Sequence, residues 1–114
     1  MDDIFKYLES DSRLTMACAS LEWSHMAPTA PDTLFCYPFQ DRDPFILTRT
    51  PEVYFVGNQP VYESRVVESE RDNGEGAGAS KVRCRVVLVP RFAQTGEVVL
   101  LNCRTLETKV VRFE

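Results

Sequence analysis

Few residues in this sequence have the types and spacing to do chemistry, and the most suggestive of them stand together. Gly57-Asn58-Gln59-Pro60 follows a short apolar run, Val53-Tyr54-Phe55-Val56. Loops at the carboxyl ends of strands are where α/β proteins usually place ligands and metals. A metal there would want imidazole or carboxylate donors. Asn58 and Gln59 offer neutral amide oxygens, and Pro60 offers no side-chain ligand. The chain's one histidine, His25, is far away in sequence and has no evident partner, so it reads as a surface or capping residue. Nucleophilic catalysis needs a base beside the nucleophile, and no local Ser-His or Cys-His motif is present. Asp41 and Asp43 flank Arg42 just before Pro44, which marks them as turn residues rather than a metal pair. Gly74, Gly76 and Gly78 form a GxGxG run, but no Lys-Ser/Thr follows and no helix opens after it, so it is not a phosphate loop.

Charge and cysteine content narrow the classes further. The formal net charge is −4, which argues against a sequence-independent grip on nucleic-acid phosphates. A stacking groove for single strands would also need basic residues beside its rings. The clearest basic cluster is Lys81, Arg83 and Arg85, whose alternation sets them on one solvated strand face. The four cysteines, Cys18, Cys36, Cys84 and Cys103, are never closer than 18 residues. No CxxC pair exists, and each has apolar neighbours, so they read as reduced core thiols. The longest aliphatic runs, Val86–Val89 and Val98–Leu101, are far too short to span a membrane.

Around these residues the elements fall in order. The 114-residue chain is 44% hydrophobic and 26% charged, which suits one folded domain. Apolar spacing predicts a short helix after Asp2-Asp3 carrying Ile4, Phe5 and Leu8. A break at Ser10-Asp11-Ser12 follows, then a second helix with Leu14, Ala17, Cys18 and Leu21 on one stripe. From Ala27 to Thr50 four prolines exclude a helix through most of the segment. Phe35, Tyr37, Phe39, Phe45 and Ile46 give that long loop its anchors. Val53–Val56 lacks alternation, which predicts burial on both faces. The remainder reads as antiparallel strands joined by turns: Val61–Glu68, Lys81–Pro90 with Val82, Cys84, Val86 and Leu88 on one face, a buried Val98–Cys103, and Lys109–Phe113. Turns fall at Gln94–Gly96 and Thr105–Thr108, and residues 71–80 form a flexible connection. The fold class is therefore α+β, with N-terminal helices, one buried strand and a β meander.

The wording of the central stretch resembles a known family, the small accessory (B) subunits of DNA polymerase delta. The motifs that carry the likeness are PTAPDTL at Pro28–Leu34, CYPF at Cys36–Phe39, DPFI at Asp43–Ile46 and VYFVGNQP at Val53–Pro60. Asp3–Tyr7 and Leu21–Trp23 resemble the segment just upstream, and the final strands fit more loosely. The resemblance implies the C-terminal part of a calcineurin-like phosphoesterase domain that has lost its active site, in a protein that also carries an OB-fold. Active relatives of that domain hold metals with a Gly-His-x-His motif. On this chain the motif falls on Gly57-Asn58-Gln59-Pro60, with Asn58 and Pro60 where the histidines would be. The resemblance thus implies no catalytic residues, no metal and no cofactor. It implies a nuclear scaffold for DNA replication and repair, bridging the polymerase catalytic subunit's C-terminal domain to a third subunit. DNA would be met only through the complex, and a membrane not at all. Phe35, Tyr37, Phe39 and Phe45 are the candidate partner-interface residues. The alternatives are a fragment of an active metal-dependent phosphoesterase or nuclease, and the corresponding accessory subunit of polymerase alpha or epsilon.

Family members run to several hundred residues, so residues 1–114 are expected to form one partial domain lacking upstream strands. An open sheet edge and uncovered apolar surface destabilise such a piece. The isolated chain should therefore melt without cooperativity in a thermal scan followed by circular dichroism. A reversible two-state transition of the monomer would contradict that expectation.

Overall fold

A computed structural model of the chain describes Phe5, residues 12–71 and residues 80–114. The expected first helix (apart from Phe5, which is helical) and the connection at 71–80 lie largely outside the described residues. Backbone contacts divide the chain into two compact units, Met1–Thr50 and Pro51–Glu114.

In the first unit, helix α1 spans Arg13–Glu22. Its start is set by Ser12, whose Oγ accepts from the Thr15 backbone N–H at 3.0 Å. That bond satisfies one of the orphan donors of the first turn. The expected stripe of Leu14, Ala17, Cys18 and Leu21 is buried. Met16, off that stripe, is also buried and forms a cluster with Ala27, against which Phe5, Leu34 and Phe45 pack. Ser20 is buried too, with its hydroxyl donating to Met16 O at 2.9 Å. Beyond Trp23 the backbone turns through Ser24, at φ 54°, into a bridge between His25 and Ile46. Met26 N–H donates to Phe45 O at 2.9 Å, and Leu47 N–H to Ser24 O at 2.7 Å. The Pro-rich segment between them is irregular, as its prolines require, and contains a cis Ala30–Pro31 bond.

The second unit holds two sheets. Strands β1 (Val53–Gln59), β2 (Glu63–Arg71) and β3 (Ser80–Pro90) form one, in the order β1-β3-β2. Strands β4 (Glu97–Leu101) and β5 (Thr108–Arg112) form an antiparallel pair. The α+β class holds, and the strands after β1 pair antiparallel, β2 with β3 and β4 with β5. β3 lies between β1 and β2, parallel to the first and antiparallel to the second. Composition explains the placement. Cys84, Val86 and Leu88 are buried on one face of β3 and Val87 on the other, so β3 takes the centre. Residues 60–62 cross over the end of β3, and three extended residues reach the ~10 Å between strands two places apart.

Three expectations give way to the structure. β1 is an edge strand, and Phe55 is 69% exposed rather than buried on both faces. β4 is not a buried strand either, because it sits in a two-stranded sheet with Leu100 55% exposed. Of the four thiols only Cys18 and Cys84 are core residues; Cys36 is half-buried and Cys103 is exposed in the β4–β5 turn.

The turn expected at Gln94–Gly96 is a one-turn helix α2 (Phe92–Thr95) closed by Gly96 at φ 64°. A Cβ built on Gly96 would lie 2.5 Å from Phe113 O. Left-handed backbone and steric overlap act together at this position. In the full-length protein Gly96→Ala should lower unfolding free energy by about 1–3 kcal/mol, read as a shift in urea midpoint.

Candidate functional site

The Gly57–Pro60 segment is built by a bulge. Val56 pairs with Leu88 and Gln59 with Pro90, so β1 takes three steps where β3 takes two. The extra residue is accommodated at Asn58, whose φ is 60°. Asparagine tolerates that left-handed region better than most residues. Gln59 is buried, and its Nε2 donates to Gly57 O at 3.1 Å. Arg91, just past β3, closes the segment from the other side. Its backbone N–H donates to Gln59 O at 2.8 Å, and its Nε to Asn58 O at 3.1 Å. The segment therefore belongs to the strand's end rather than to a free loop, with Gly57 and Asn58 exposed.

The donors in this segment are an asparagine amide, a buried glutamine and backbone carbonyls. Among the described residues no three His, Cys, Asp or Glu side chains converge as a metal-binding group. Softer transition metals favour imidazole, so Gly57–Pro60 does not fit such an ion.

His25 has a partner that its position in sequence did not reveal. Its Nε2 lies 2.7 Å from Asp43 Oδ2. The Ala27 backbone N–H donates to Nδ1 at 3.1 Å, which places the ring proton on Nε2. Asp43 Oδ1 in turn accepts from the Phe45 N–H at 2.9 Å, the turn role its neighbourhood suggested. Both ring nitrogens are thus engaged, Nε2 tying the α1 exit to the aromatic segment and Nδ1 held by the local backbone. A catalytic dyad would need one of them to face a nucleophile. The pair is a clamp.

The aromatic segment itself separates into two kinds of ring. Phe45 packs on the Met16–Ala27 cluster and lies 6.3 Å from the His25 ring, so it is half core. Phe35 is 99% exposed, Tyr37 72% and Phe39 53%. Tyr37 and Phe39 meet edge to face at 5.1 Å. Together with Cys36, Arg42 and Pro44 they border a cleft of about 410 Å³. Rings this exposed are not packing their own unit's core.

The basic face of β3 is less uniform than alternation suggests. Arg83 pairs with Glu68 at 3.6 Å, both well exposed, an arrangement worth little. Arg85 is half-buried and donates from Nε to Leu106 O at 2.7 Å.

Comparison with known proteins bears on these features. Residues 1–64 match the family described as the B subunits of DNA polymerases alpha and epsilon. The chain is 40% identical to the DNA polymerase delta small subunit of Oryza sativa subsp. japonica over 99% of its length, covering 24% of that protein. It is 42% identical to the small subunit of Arabidopsis thaliana, with the same coverages. With that of Saccharomyces cerevisiae it shares 40% identity over 91% of this chain and 19% of the relative. The chain spans about a quarter or less of the length of these relatives.

The clamp has a pH signature. Asp43 is held below its ordinary value of 3.8, first by the His25 hydrogen bond and then by the Phe45 N–H. A carboxyl with a depressed folded-state value stabilises the fold above the ordinary value and loses that contribution as pH falls through the lower one. In the full-length protein Asp43→Asn should therefore lower the urea midpoint at neutral pH. The gap to wild type should close in acid, below 3.8. A gap independent of pH would remove the carboxylate from the account.

Proposed function

The chain belongs to the family of DNA polymerase alpha/epsilon B subunits, and we propose that it is part of a non-catalytic accessory subunit of DNA polymerase delta. The observation that carries this reading is its 40–42% identity with plant delta small subunits over nearly its whole length. The names of those relatives favour delta over alpha or epsilon. On this reading residues 1–114 are the C-terminal part of one phosphoesterase-like domain, with 71–80 a connection within it. The protein works in the nucleus, in DNA replication and repair. It bridges the catalytic subunit's C-terminal domain to a third subunit and meets DNA through that assembly.

The phosphoesterase chemistry is lost at Gly57–Pro60. Asn58 and Pro60 occupy the positions that histidines hold in active relatives of such domains. Two-metal hydrolysis depends on ions held a few ångströms apart by strong donors, and an amide and a proline ring do not supply them. What the segment retains is a strand end closed by Arg91. Loss of chemistry with retention of the scaffold suits a docking role.

Phe35, Tyr37 and Phe39 are the residues assigned to docking, with Phe45 holding the segment in place from behind. Their exposure supports the assignment, because large rings left in water gain most by being covered. The acidic surround argues against single-stranded DNA as what covers them: Asp32, Asp41 and Asp43 outnumber Arg42 and Arg49 in this segment.

Two assays on the full-length protein test the reading. The wild type should capture the polymerase delta catalytic subunit's C-terminal region, and Phe35→Ala/Tyr37→Ala should weaken capture by roughly 5- to 30-fold, the range for interface anchors. A manganese-dependent phosphodiesterase assay should show no turnover. Turnover abolished by chelator would instead favour an active phosphoesterase.

A further inference from the structure

One arginine is placed as though for a ligand. Arg85 is half-buried where the face of β3 meets the β4–β5 hairpin, in an open cleft of about 720 Å³. Among the described residues no carboxylate lies within ion-pair distance of it. Cations removed from bulk water are normally paired. Its Nε is engaged by Leu106 O at 2.7 Å and its Nη1 reaches Ser64 Oγ at 3.4 Å. Both acceptors are neutral, and a guanidinium carries five N–H donors.

The wall beside Arg85 is lined with hydroxyls. Tyr62 Oη lies 2.6 Å from Thr108 Oγ1 and 3.1 Å from Ser64 Oγ. Ser64 and Thr108 are 3.4 Å apart. With Tyr62 donating to Ser64 and Thr108 donating to Tyr62, the Ser64 hydrogen is left to turn toward an incoming anion. Lys109, on the same cleft, adds a second positive charge, and the exposed Leu100 supplies an apolar lip. One acid also lines the cleft. Glu107 Oε2 accepts from Thr105 Oγ1 at 3.2 Å, turned to its own loop rather than to Arg85.

We propose that this cleft receives one carboxylate side chain, Asp or Glu, carried between aliphatic residues on a partner polypeptide. Guanidinium and hydroxyl donors match a planar carboxylate. The charge of Glu107 disfavours a dianion such as phosphate. The leucine lip has no use for a free anion, but it matches the aliphatic neighbours of an acidic residue in a chain. The site goes beyond the assembly reading above and would stand if the aromatic segment met no polymerase subunit.

The test uses the full-length protein and Leu-Asp-Leu-Asp-Leu-amide labelled with fluorescein at its N-terminus, read by anisotropy. The Asp peptide should bind at least about tenfold more tightly than its Asn counterpart, the loss expected with a charge-assisted bond. Lys109→Met, which leaves the Arg85 and hydroxyl contacts in place, should weaken binding about threefold. Arg85→Lys should weaken it about tenfold, since lysine cannot hold the same fork. Should Arg85→Lys lower the melting temperature, Lys109→Met alone decides. Equal affinity for the two peptides would overturn the proposal. So would no effect of Lys109→Met, displacement of the peptide by equimolar inorganic phosphate, or no binding at all.

Discussion

Hydrogen bonding along both edges of β3 is the constraint on which the Pro51–Glu114 unit depends. β1 and β2 do not pair with each other; each is aligned by β3. The same strand supplies the buried Cys84, Val86 and Leu88 on one face. On the other, Val87 is buried and Arg85 reaches across to Leu106. Leu106 sits at φ 60°, in a turn where the Asn102 side chain accepts from the Arg104 and Thr105 N–H groups. One strand thus sets the register of its neighbours and fixes the turn of a second sheet. Buried apolar surface and saturated backbone bonding coincide there, which is what makes a strand central. Within the Met1–Thr50 unit the comparable constraint is local. The His25–Asp43 contact and the backbone bonds beside it close the long irregular segment onto the exit of α1.

The candidate sites divide by how they are held. Gly57–Pro60 is fixed by backbone contacts from Arg91 and by a buried glutamine, so its geometry is stiff while its donors are weak. The aromatic segment is the reverse. Its end is clamped through Asp43 and Phe45, and its remaining rings stand in water.

Local rules make much of this legible. Ser12 as helix cap, the Leu14–Leu21 stripe, the prolines that keep 27–50 irregular and the alternation of Val82, Cys84, Val86 and Leu88 are all short-range signals. The shortfalls are long-range. Nothing near Val53–Val56 says which strands flank it, so its apolar run reads as buried while Phe55 is exposed. His25 and Asp43 are 18 residues apart, and only the fold reveals their contact. Alternation groups Arg85 with Lys81 and Arg83, but a hairpin tip whose residues come much later in the chain distinguishes it. Met16 lies off the main stripe, and its burial depends on Ala27 and Phe45 beyond the helix.

The bulge in β1 controls parity. Residues paired across neighbouring strands share a face, so Val56 and Gln59 lie on the same side as Leu88 and Pro90. Were the same residues strung as a regular strand, Gln59 would fall in phase with Phe55, on the face that carries Val87 of β3. The insertion acts as a half-step that inverts the reading frame of the strand just before it ends. Such a strand end bears the loss of a residue better than a change of one. With Asn58 removed, the strand runs regular and Gln59 keeps its place opposite Pro90. A β-branched residue at position 58, ill suited to left-handed backbone, favours flattening the bulge instead. The two faces would then be exchanged at the strand's last position, with the Gln59 amide moved to the Phe55 side and everything after it aimed at the opposite face.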